Sequence, residues 1–276
     1  MTPRVLQVSS ANAAFQRIEV LQRNRTKRHR YGEFVAEGVR AINGAIAAGW
    51  TMRSFAYARG RQLSRWASSI LESSTADTHF EMDPTLFEQL SEKEEPSELI
   101  AVVAMRPDST ERIPVRQGMT VVIVDRPASP GNLGTLIRSC DAFGAAGVIV
   151  TGHGVAPYDP ATIRASVGSF FAVPCVSLAS HHDVADWLAR VRRSYPSLRA
   201  VGTSAHAPTR LRDYVWPPET AIVVGNETSG LSHAYRELCD DLVGIPMAGT
   251  ATSLNAAVAT SIVLYEAASR STDGKR

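Results

Sequence analysis

Cysteine is scarce in this sequence of 276 residues, with Cys140, Cys175 and Cys239 as the only three. Their odd number and wide separation support neither a disulfide framework nor a zinc site, so reduced, mostly buried thiols are predicted. The histidines also lack the spacing of metal ligands, and we predict no metal. The sequence has no long apolar run, and its first residues are too polar for a signal peptide. These absences predict a cytoplasmic protein without a membrane span.

Lysine is nearly absent as well, since only Lys27, Lys93 and Lys275 contribute to the 29 lysines and arginines. The net charge of +2 is small, but basic residues are concentrated near the N-terminus. This basic cluster comprises Arg17, Arg23, Arg25, Lys27, Arg28 and Arg30. Because clustered basic side chains attract phosphate backbones, Arg25, Arg28 and Arg30 are candidate RNA-binding residues. A codon preference for arginine and a solvated charged face remain the alternative interpretation.

A dinucleotide-binding fingerprint is missing too. Gly152-His153-Gly154 has neither the third glycine at the required position nor a following helix. A nicotinamide-dependent oxidoreductase is therefore a poor interpretation. The 44% hydrophobic content and the length of the chain nevertheless suffice for a full core, in one large or two ordinary domains.

The first hundred residues have the pattern of a small α/β domain. Short predicted strands and helices follow one another at residues 34–38, 39–47, 54–58, 63–71 and 98–104. Gly49 marks the end of the first predicted helix, since glycine commonly follows a helix. Residues 106–118 contain Pro107 and Pro114, show little periodicity and are predicted to be a linker.

Strands and helices alternate in the second part of the chain, which favours a mostly parallel sheet. The predicted strands are residues 121–124, 147–150, 172–176, 199–203 and 221–224, the last of these being the final strand. Pro174 interrupts the third, which predicts an edge strand or a short one. A helix is predicted at residues 184–191.

Three polar turns follow apolar runs in this part of the chain. Residues 125–144 form a turn and a helix after the first predicted strand, and this segment contains Asn132 and Arg138. Residues 225–230 follow the last predicted strand, and Ser253-Leu254-Asn255 leads into an alanine-rich helix. Open α/β sheets usually bind ligands at the carboxyl ends of their strands, so these turns supply the candidate site residues.

In content, order and separation, the three turns resemble the three signature motifs of the SpoU (TrmH) family of RNA ribose 2'-O-methyltransferases. The resemblance covers roughly residues 12–270. Within the family, the chain is similar to the branch that methylates ribosomal RNA and includes enzymes of avilamycin-type antibiotic resistance.

This resemblance implies a two-domain α/β protein. The implied fold is a small ribosomal-protein-like RNA-binding domain at residues 1–108 and a linker at 109–118, followed by a SPOUT-type catalytic domain at 119–276. The catalytic domain is expected to hold a parallel sheet with a deep trefoil knot. A homodimer is also implied, in which the last helix, residues 254–268, packs near the active site of the partner.

The resemblance further implies S-adenosyl-L-methionine as the cofactor, held in the knot largely by main-chain groups. The matching positions are Thr203, Gly225, Ile245 and Leu254. A small residue such as Gly225 lets the backbone approach an adenosyl group closely. For any single glycine, an ordinary turn is at least as good an interpretation.

The implied catalytic residues come from all three motifs. Arg138 matches the family's catalytic arginine, and Asn132 matches the asparagine that helps to position it. Glu227, Ser253 and Asn255 match residues that organise the site. Arginine side chains do not normally lose their proton in proteins, so we expect Arg138 to stabilise alkoxide character at the 2'-oxygen and not to act as a base. Without the motifs, a lone arginine on a helix would usually be a solvated residue.

Residues 164–169 resemble a family segment that often reaches the substrate phosphate, which makes Arg164 a further candidate RNA-binding residue. Val167 departs from the arginine that some resistance methyltransferases carry there, and this weakens the case for phosphate binding. The predicted function is 2'-O-methylation of a ribose in large-subunit (23S) ribosomal RNA, with antibiotic resistance as a consequence. The alternatives are a tRNA ribose 2'-O-methyltransferase and a non-catalytic RNA-binding protein on the same fold.

Overall fold

The computed structural model describes residues 3–91 and 95–273, and for residues 270–273 it describes the backbone alone. Contacts between Cα atoms divide the chain into two compact units. The first unit combines Met1–Arg106 with Tyr158–Ala172, and the second combines Pro107–Pro157 with Val173–Arg276. Residues 274–276 of the predicted catalytic domain lie outside the described residues.

The two units are built from short strands and helices. In chain order, the elements up to residue 106 are β1 (Arg4–Val8), α1 (Ala13–Arg23), α2 (Arg25–Tyr31), β2 (Glu33–Glu37), α3 (Val39–Ala47), β3 (Met52–Ala58), α4 (Arg65–Ser73), β4 (Thr78–Met82), α5 (Pro84–Leu90) and β5 (Ile100–Ala104). The elements that follow are β6 (Thr120–Asp125), α6 (Pro130–Ala142), β7 (Gly147–Thr151), α7 (Pro160–Ala165), α8 (Ser169–Ala172), β8 (Cys175–Leu178), α9 (His181–Ser194), β9 (Arg199–Thr203), β10 (Thr209–Arg210), β11 (Thr220–Val224), α10 (His233–Leu238), β12 (Asp241–Gly244) and α11 (Ala256–Asp273).

The first unit contains a mixed sheet with the strand order β1-β4-β3-β5-β2 in the described part of the chain. Strand β5 runs antiparallel to both of its neighbours, whereas β4 runs parallel to β1 and β3. The predicted pieces correspond to β2, α3, β3, α4 and β5, and Gly49 follows α3 with a φ of +65°, as a helix-ending glycine does. Strands β1 and β4 were not predicted, because polar residues interrupt their short apolar sequences.

An aromatic cluster fills the core of the first unit. The Phe34 ring lies 5.8 Å from that of Trp50, 5.0 Å from that of Tyr158 and 6.0 Å from that of Phe170. The Trp50 indole also donates a hydrogen bond to the Phe171 carbonyl over 3.1 Å. Two of these rings therefore come from residues 158–172, a segment that the sequence assigned to the catalytic domain.

The second unit contains a sheet of parallel strands in the order β10-β12-β9-β11-β6-β7-β8, counted over the described residues. The central strand β11 is fully buried, and Trp187 of α9 packs with Val121 and Val223 in the core. Neighbouring parallel strands end at one edge of a sheet. The turns after β6 and β11 and the end of β9 therefore lie together.

Two strand predictions have different outcomes. Strand β8 is a short strand at the edge of the sheet, as Pro174 predicted, but it spans Cys175–Leu178 and not residues 172–176. The prediction that residues 221–224 form the last strand is wrong, because β12 follows and pairs with β9. Only Leu242 and Val243 are apolar in β12, so its position is decided by pairing and not by a local apolar run.

From Pro107 onward, the predicted linker is part of the second unit. Ile113 is buried in its core, and Asp108 accepts a hydrogen bond from the Ser177 amide over 2.9 Å. The Arg112 guanidinium donates to the Cys175 carbonyl over 3.1 Å. These contacts attach residues 107–118 along the edge strand β8.

Candidate active site

The first motif begins where β6 ends. The Ser129 hydroxyl accepts a hydrogen bond from the Asn132 amide over 3.3 Å, and Pro130 occupies the first helical position of α6. Serine followed by proline is a typical start of a helix, because the hydroxyl caps a free amide and proline needs no hydrogen-bond partner there. Asn132 is thereby held in the first turn of α6.

The second motif is a tight loop after β11. Asn226 and Gly230 pair through both backbone hydrogen bonds, and the Asn226 side chain accepts from the amides of Thr228 and Ser229 over 2.9 and 3.1 Å. A Cβ on Gly225 would lie 2.2 Å from the Gly230 carbonyl carbon. Only glycine therefore allows the loop to fold back at this position.

The third motif caps α11. The Asn255 side-chain oxygen accepts hydrogen bonds from the amides of Ala257 and Val258 over 2.9 and 3.3 Å. This is an ordinary asparagine N-cap, and it fixes the orientation of the Asn255 side chain. The amide nitrogen of the same side chain is then available for a contact outside the helix.

Hydrogen bonds connect the three motifs. Asn255 donates to the Asn132 side-chain oxygen over 2.9 Å, and Asn132 donates to Glu227 Oε1 over 3.3 Å. Glu227 also accepts from the amides of Ala128 over 2.8 Å and Ser129 over 3.3 Å. We call Asn132, Glu227 and Asn255 the motif triangle, and it brings together three of the five predicted catalytic residues.

The Glu227 carboxylate is ionised at neutral pH in this setting. Burial raises the pKa of Glu227, but hydrogen bonds from backbone amides and from Asn132 outweigh burial, so the pKa lies below its ordinary value of 4.5. A carboxylate that accepts several N–H groups is stabilised in its charged form. Glu227 therefore holds the turn before α6 through a charged acceptor.

Arg138 and Ser253 lie outside the motif triangle. Arg138 is exposed on α6, six residues beyond Asn132, which corresponds to a rise of about 9 Å along a helix. Its guanidinium has no hydrogen bond or ion pair with the part of the chain that the structure describes. Ser253 is exposed before α11 and lines a cavity beside the triangle.

A cavity of about 390 Å³ lies next to the motif triangle and is lined by Glu227 on one side. All four predicted cofactor residues line it, namely Thr203, Gly225, Ile245 and Leu254. Apolar side chains that include Leu231, Val243 and Val263 complete the walls. The volume and the mixture of apolar walls with a few polar groups suit a nucleoside-sized ligand, so the residues fit the adenosyl cofactor.

The basic cluster divides into exposed and buried residues. Arg25 and Arg30 are exposed on α2. The Arg28 side chain is only 3% exposed; it donates to the carbonyls of Leu21 and Gln22 and pairs with Asp159 over 3.2 Å. The structure therefore removes Arg28 from the predicted RNA-binding residues, because a guanidinium buried in the first unit cannot reach a phosphate.

Arg164 is exposed on α7 in the first unit. Val167, two residues after the end of α7, has a φ of +54°, and the adjacent Gly168 lies so close to the Arg40 carbonyl that a Cβ would be 2.9 Å from its oxygen. This turn is fixed by backbone packing within the first unit. The structure thus leaves Arg164 exposed on the first unit.

Two sequence predictions concern absent features. Across residues 3–91 and 95–273, no group of three or more histidine, cysteine, aspartate or glutamate side chains could hold a metal ion. Within the same residues, no helix has both the length and the apolar character needed to cross a membrane.

Two residues at the end of β6, Arg126 and the buried Asp125, are not among the predicted site residues. Arg126 adopts a φ of +49°, a conformation that residues other than glycine rarely adopt. Its guanidinium forms two hydrogen bonds with the Asp125 carboxylate, over 2.9 and 2.8 Å. Nothing in the local sequence signals this conformation, since arginine is not typical of left-handed turns.

Comparison with known proteins agrees with this geometry. Residues 119–265 match the SpoU rRNA Methylase family, and residues 12–101 match the SpoU L30e-like domain. The chain is 44% identical over 275 residues to the 23S rRNA (uridine(2479)-2'-O)-methyltransferase of Streptomyces viridochromogenes, which covers 99% of this chain and 96% of that protein.

Solved structures give the same result. The SpoU methyltransferase AviRb from S. viridochromogenes in complex with AdoMet has a TM-score of 0.89 and 46% identity, covering 94% of this chain and 98% of that one. An AdoMet-bound rRNA methyltransferase from Sinorhizobium meliloti has a TM-score of 0.81 and 29% identity, covering 95% and 97%. The resemblance found in the sequence is thus confirmed, and the chain belongs to the SpoU rRNA methylase family.

Proposed function

We propose that this protein is an S-adenosyl-L-methionine-dependent methyltransferase that modifies the 2'-oxygen of a ribose in 23S ribosomal RNA. The observation that carries the proposal is the motif triangle, in which residues from three distant motifs meet beside a nucleoside-sized cavity. The 44% identity over 275 residues to a 23S rRNA 2'-O-methyltransferase supports the choice of substrate. Such a substrate agrees with a cytoplasmic location.

In this proposal, different residues bind the cofactor and stabilise the reacting oxygen. Thr203, Gly225, Ile245 and Leu254 hold the cofactor, which supplies an electrophilic methyl group on a sulfonium. Arg138 hydrogen-bonds the ribose 2'-oxygen and a neighbouring phosphate. It stabilises the negative charge that develops on this oxygen as the hydroxyl proton passes to solvent water and the oxygen takes the methyl group. Arginine suits this role because it stays charged and presents several N–H groups in a plane.

The motif triangle positions these groups and does not itself react in this proposal. Glu227 fixes the turn from which α6 starts, and Asn132 connects that turn to Asn255 at the start of α11. Ser253, which precedes this cap and lines the cavity, completes the third motif. A rigid connection of this kind fixes the position of α6, which carries Arg138, relative to the loop after β11, which lines the cofactor cavity.

The test is direct. Ribosomal RNA incubated with the protein and S-adenosyl-L-methionine should show one new 2'-O-methyl stop in primer extension, and calorimetry should show cofactor binding. A stop in tRNA alone would favour a tRNA enzyme, and RNA binding without cofactor binding would favour a non-catalytic protein. Cells that express the protein should also tolerate more of an avilamycin-type antibiotic.

We propose a homodimer that forms through α11, which is the part of the fold that the deep trefoil knot is expected to include. On this helix Val258 is 48% exposed and Tyr265 is 57% exposed. The two residues are seven positions apart and therefore share one face of the helix. We expect Tyr265→Glu to produce a monomer in sedimentation velocity. The matched control is Val5→Glu, at an exposed apolar residue of β1. A dimer that survives Tyr265→Glu unchanged would contradict an interface on α11.

The exposed arginines of the basic cluster give a further prediction. Because Arg25 and Arg30 are exposed on α2, the double variant Arg25→Ser/Arg30→Ser should weaken RNA binding and leave cofactor affinity unchanged. Each lost phosphate contact should flatten the slope of log K against log salt by about 0.7 to 0.9. The control is Arg65→Ser, at an exposed arginine of α4. Equal slopes for the double variant and the unmodified protein would make the cluster a solvated face.

A further inference from the structure

A second cleft lies beside the motif triangle and has a volume of about 570 Å³. Its polar side chains are Arg126, His153, Asn226 and Ser229, and the latter two also line the cofactor cavity. Ala128, whose amide is bound by Glu227, forms part of the same cleft. The cleft therefore adjoins the proposed active site, but none of the proposed roles uses it.

The backbone of Arg126, which lines this cleft, is strained, and hydrogen bonds hold both its amide and its carbonyl. Arg126 has a φ of +49°, its amide donates to the Thr151 carbonyl over 2.9 Å, and its carbonyl accepts from the Asn226 side chain over 2.7 Å. A left-handed conformation at a residue other than glycine costs free energy and persists only where its surroundings impose it. Such strain commonly marks a functional position.

The Arg126 guanidinium is fixed in one plane. Nε and one terminal nitrogen donate to the two oxygens of Asp125, whose side chain is only 5% exposed, whereas the arginine side chain is 41% exposed. A paired guanidinium has little net charge left for a phosphate. It does present a rigid flat face, and unpaired bases stack on such faces.

Two glycines bring His153 close to this arginine. A Cβ on Gly152 would lie 2.6 Å from Arg126 Cγ, and a Cβ on Gly154 would lie 2.5 Å from the Pro127 carbonyl oxygen. The Val155 amide also donates to that carbonyl over 2.8 Å. The segment Gly152-His153-Gly154, which is no dinucleotide fingerprint, is instead packed against Arg126 and carries an exposed imidazole to the cleft.

We infer that this cleft receives the unpaired base of the nucleotide that is methylated, with the base stacked on the Arg126 guanidinium and His153 beside it. The inference rests on the proposed function, because a base held here keeps its ribose next to the motif triangle. Asp125 and Gly152 are positioning residues, since one fixes the guanidinium plane and the other leaves room for the arginine side chain. RNA-binding proteins read unstacked bases in this way.

The experiment compares Arg126→Lys with Arg199→Lys. Lysine keeps a positive charge for the buried Asp125 but loses the flat face. Arg199 is the matched control, because it forms the same two-point contact with Asp241, over 2.7 and 3.2 Å, at the amino end of β9. Arg126→Lys should lower RNA affinity and methylation kcat/KM by about 5- to 150-fold, the range for losing one stacked base, while Arg199→Lys should change neither.

A second substrate separates stacking from charge. The probe is a 23S rRNA fragment with the uridine that corresponds to the target named for the Streptomyces relative, and a copy of it that is abasic at that nucleotide. The unmodified protein should lose affinity for the abasic fragment by about the same factor. Arg126→Lys should show no further loss on the abasic fragment, because the stacking partner is already missing.

The outcomes distinguish this inference from the proposed function. If Arg126→Lys binds the intact fragment as tightly as the unmodified protein, the inference is wrong. It is also wrong if the variant loses the same factor on intact and abasic fragments, because the arginine would then act through its charge or the fold. Absence of methyl transfer by the unmodified protein would overturn the proposed function. The affinities for the intact and the abasic fragments would still test the stacking inference.

Discussion

Arg138→Ala should lower the rate of methyl transfer by about 10² to 10⁴-fold, the range for loss of a positioned catalytic group. Folding and cofactor affinity should be unchanged, because Arg138 is exposed on α6 and makes no hydrogen bond or ion pair with any residue described in the structure. Single-turnover kinetics with labelled cofactor measure the rate, and calorimetry measures the affinity. An exposed arginine without a structural partner is easily replaced unless it acts on the substrate.

Two further variants sharpen this prediction. Arg138→Lys should recover little activity, since lysine retains the charge but cannot hold an oxygen and a phosphate in one plane. Arg193→Ala is the matched control, at an exposed arginine of α9 in the same unit, and it should be fully active. Near-normal turnover of both Arg138 variants would remove this residue from the mechanism.

Glu227→Ala should disassemble the active site. The Glu227 carboxylate accepts from the amides of Ala128 and Ser129 and from the Asn132 side chain, so its removal leaves the turn before α6 unsupported. We expect methyl transfer to fall by about 10²-fold, as misplaced reacting groups do, with a loss of about 1.5 to 3 kcal/mol in the free energy of unfolding. Cofactor affinity should fall as well, because Glu227 lines the cavity.

Control variants test whether the effect is specific. Glu237→Ala removes a carboxylate that is 70% exposed on α10 and should have almost no effect on rate or stability. Asn255→Ala removes the hydrogen bond from Asn255 to Asn132 and the cap of α11. This variant should also impair cofactor binding. Unchanged rate and affinity in both Glu227→Ala and Asn255→Ala would mean that the second and third motifs are misassigned.

The charge of Glu227 also predicts a pH dependence. Its folded-state pKa lies below the ordinary value of 4.5, so the ionised carboxylate contributes stability above that value and loses the contribution as pH falls through the folded pKa. Compared with the unmodified protein, Glu227→Gln should show a constant difference in the free energy of unfolding from neutral pH to about pH 5. The difference should shrink below pH 4.5, where only the unmodified protein loses the contribution of Glu227. Chemical denaturation at a series of pH values provides the measurement.

Local patterns in the sequence were enough to find most of the catalytic sheet. The apolar runs that became most of β6, β7 and β11 are continuous and buried on both faces, and such runs are visible without knowledge of their neighbours. Pro174 predicted an edge strand or a short one for a reason that is equally local, since proline cannot donate to a neighbouring strand. Strand β12 has only two apolar residues, and its identity depends on pairing with β9.

The candidate site also combines features that the local sequence shows with features that depend on contacts between distant segments. The sequence identified Asn132, Glu227 and Asn255 by resemblance, but their hydrogen bonds join positions that are 95 and 123 residues apart. Arg28 belongs to the basic cluster and was therefore predicted to bind RNA. Its side chain is nevertheless buried in the first unit, where it pairs with Asp159. The strain at Arg126 could not be predicted either, since it is imposed by Thr151 on β7 and by Asn226 in the loop after β11.

The sequence by itself determined the family, the parallel strands and the identity of the motif residues, because apolar periodicity, turn residues and motif order are properties of adjacent positions. Only the tertiary structure decided which motifs touch, which arginines reach solvent, and that residues 158–172 complete the aromatic core of the first unit. Those outcomes depend on strand order and on packing between distant segments, which a linear pattern does not specify.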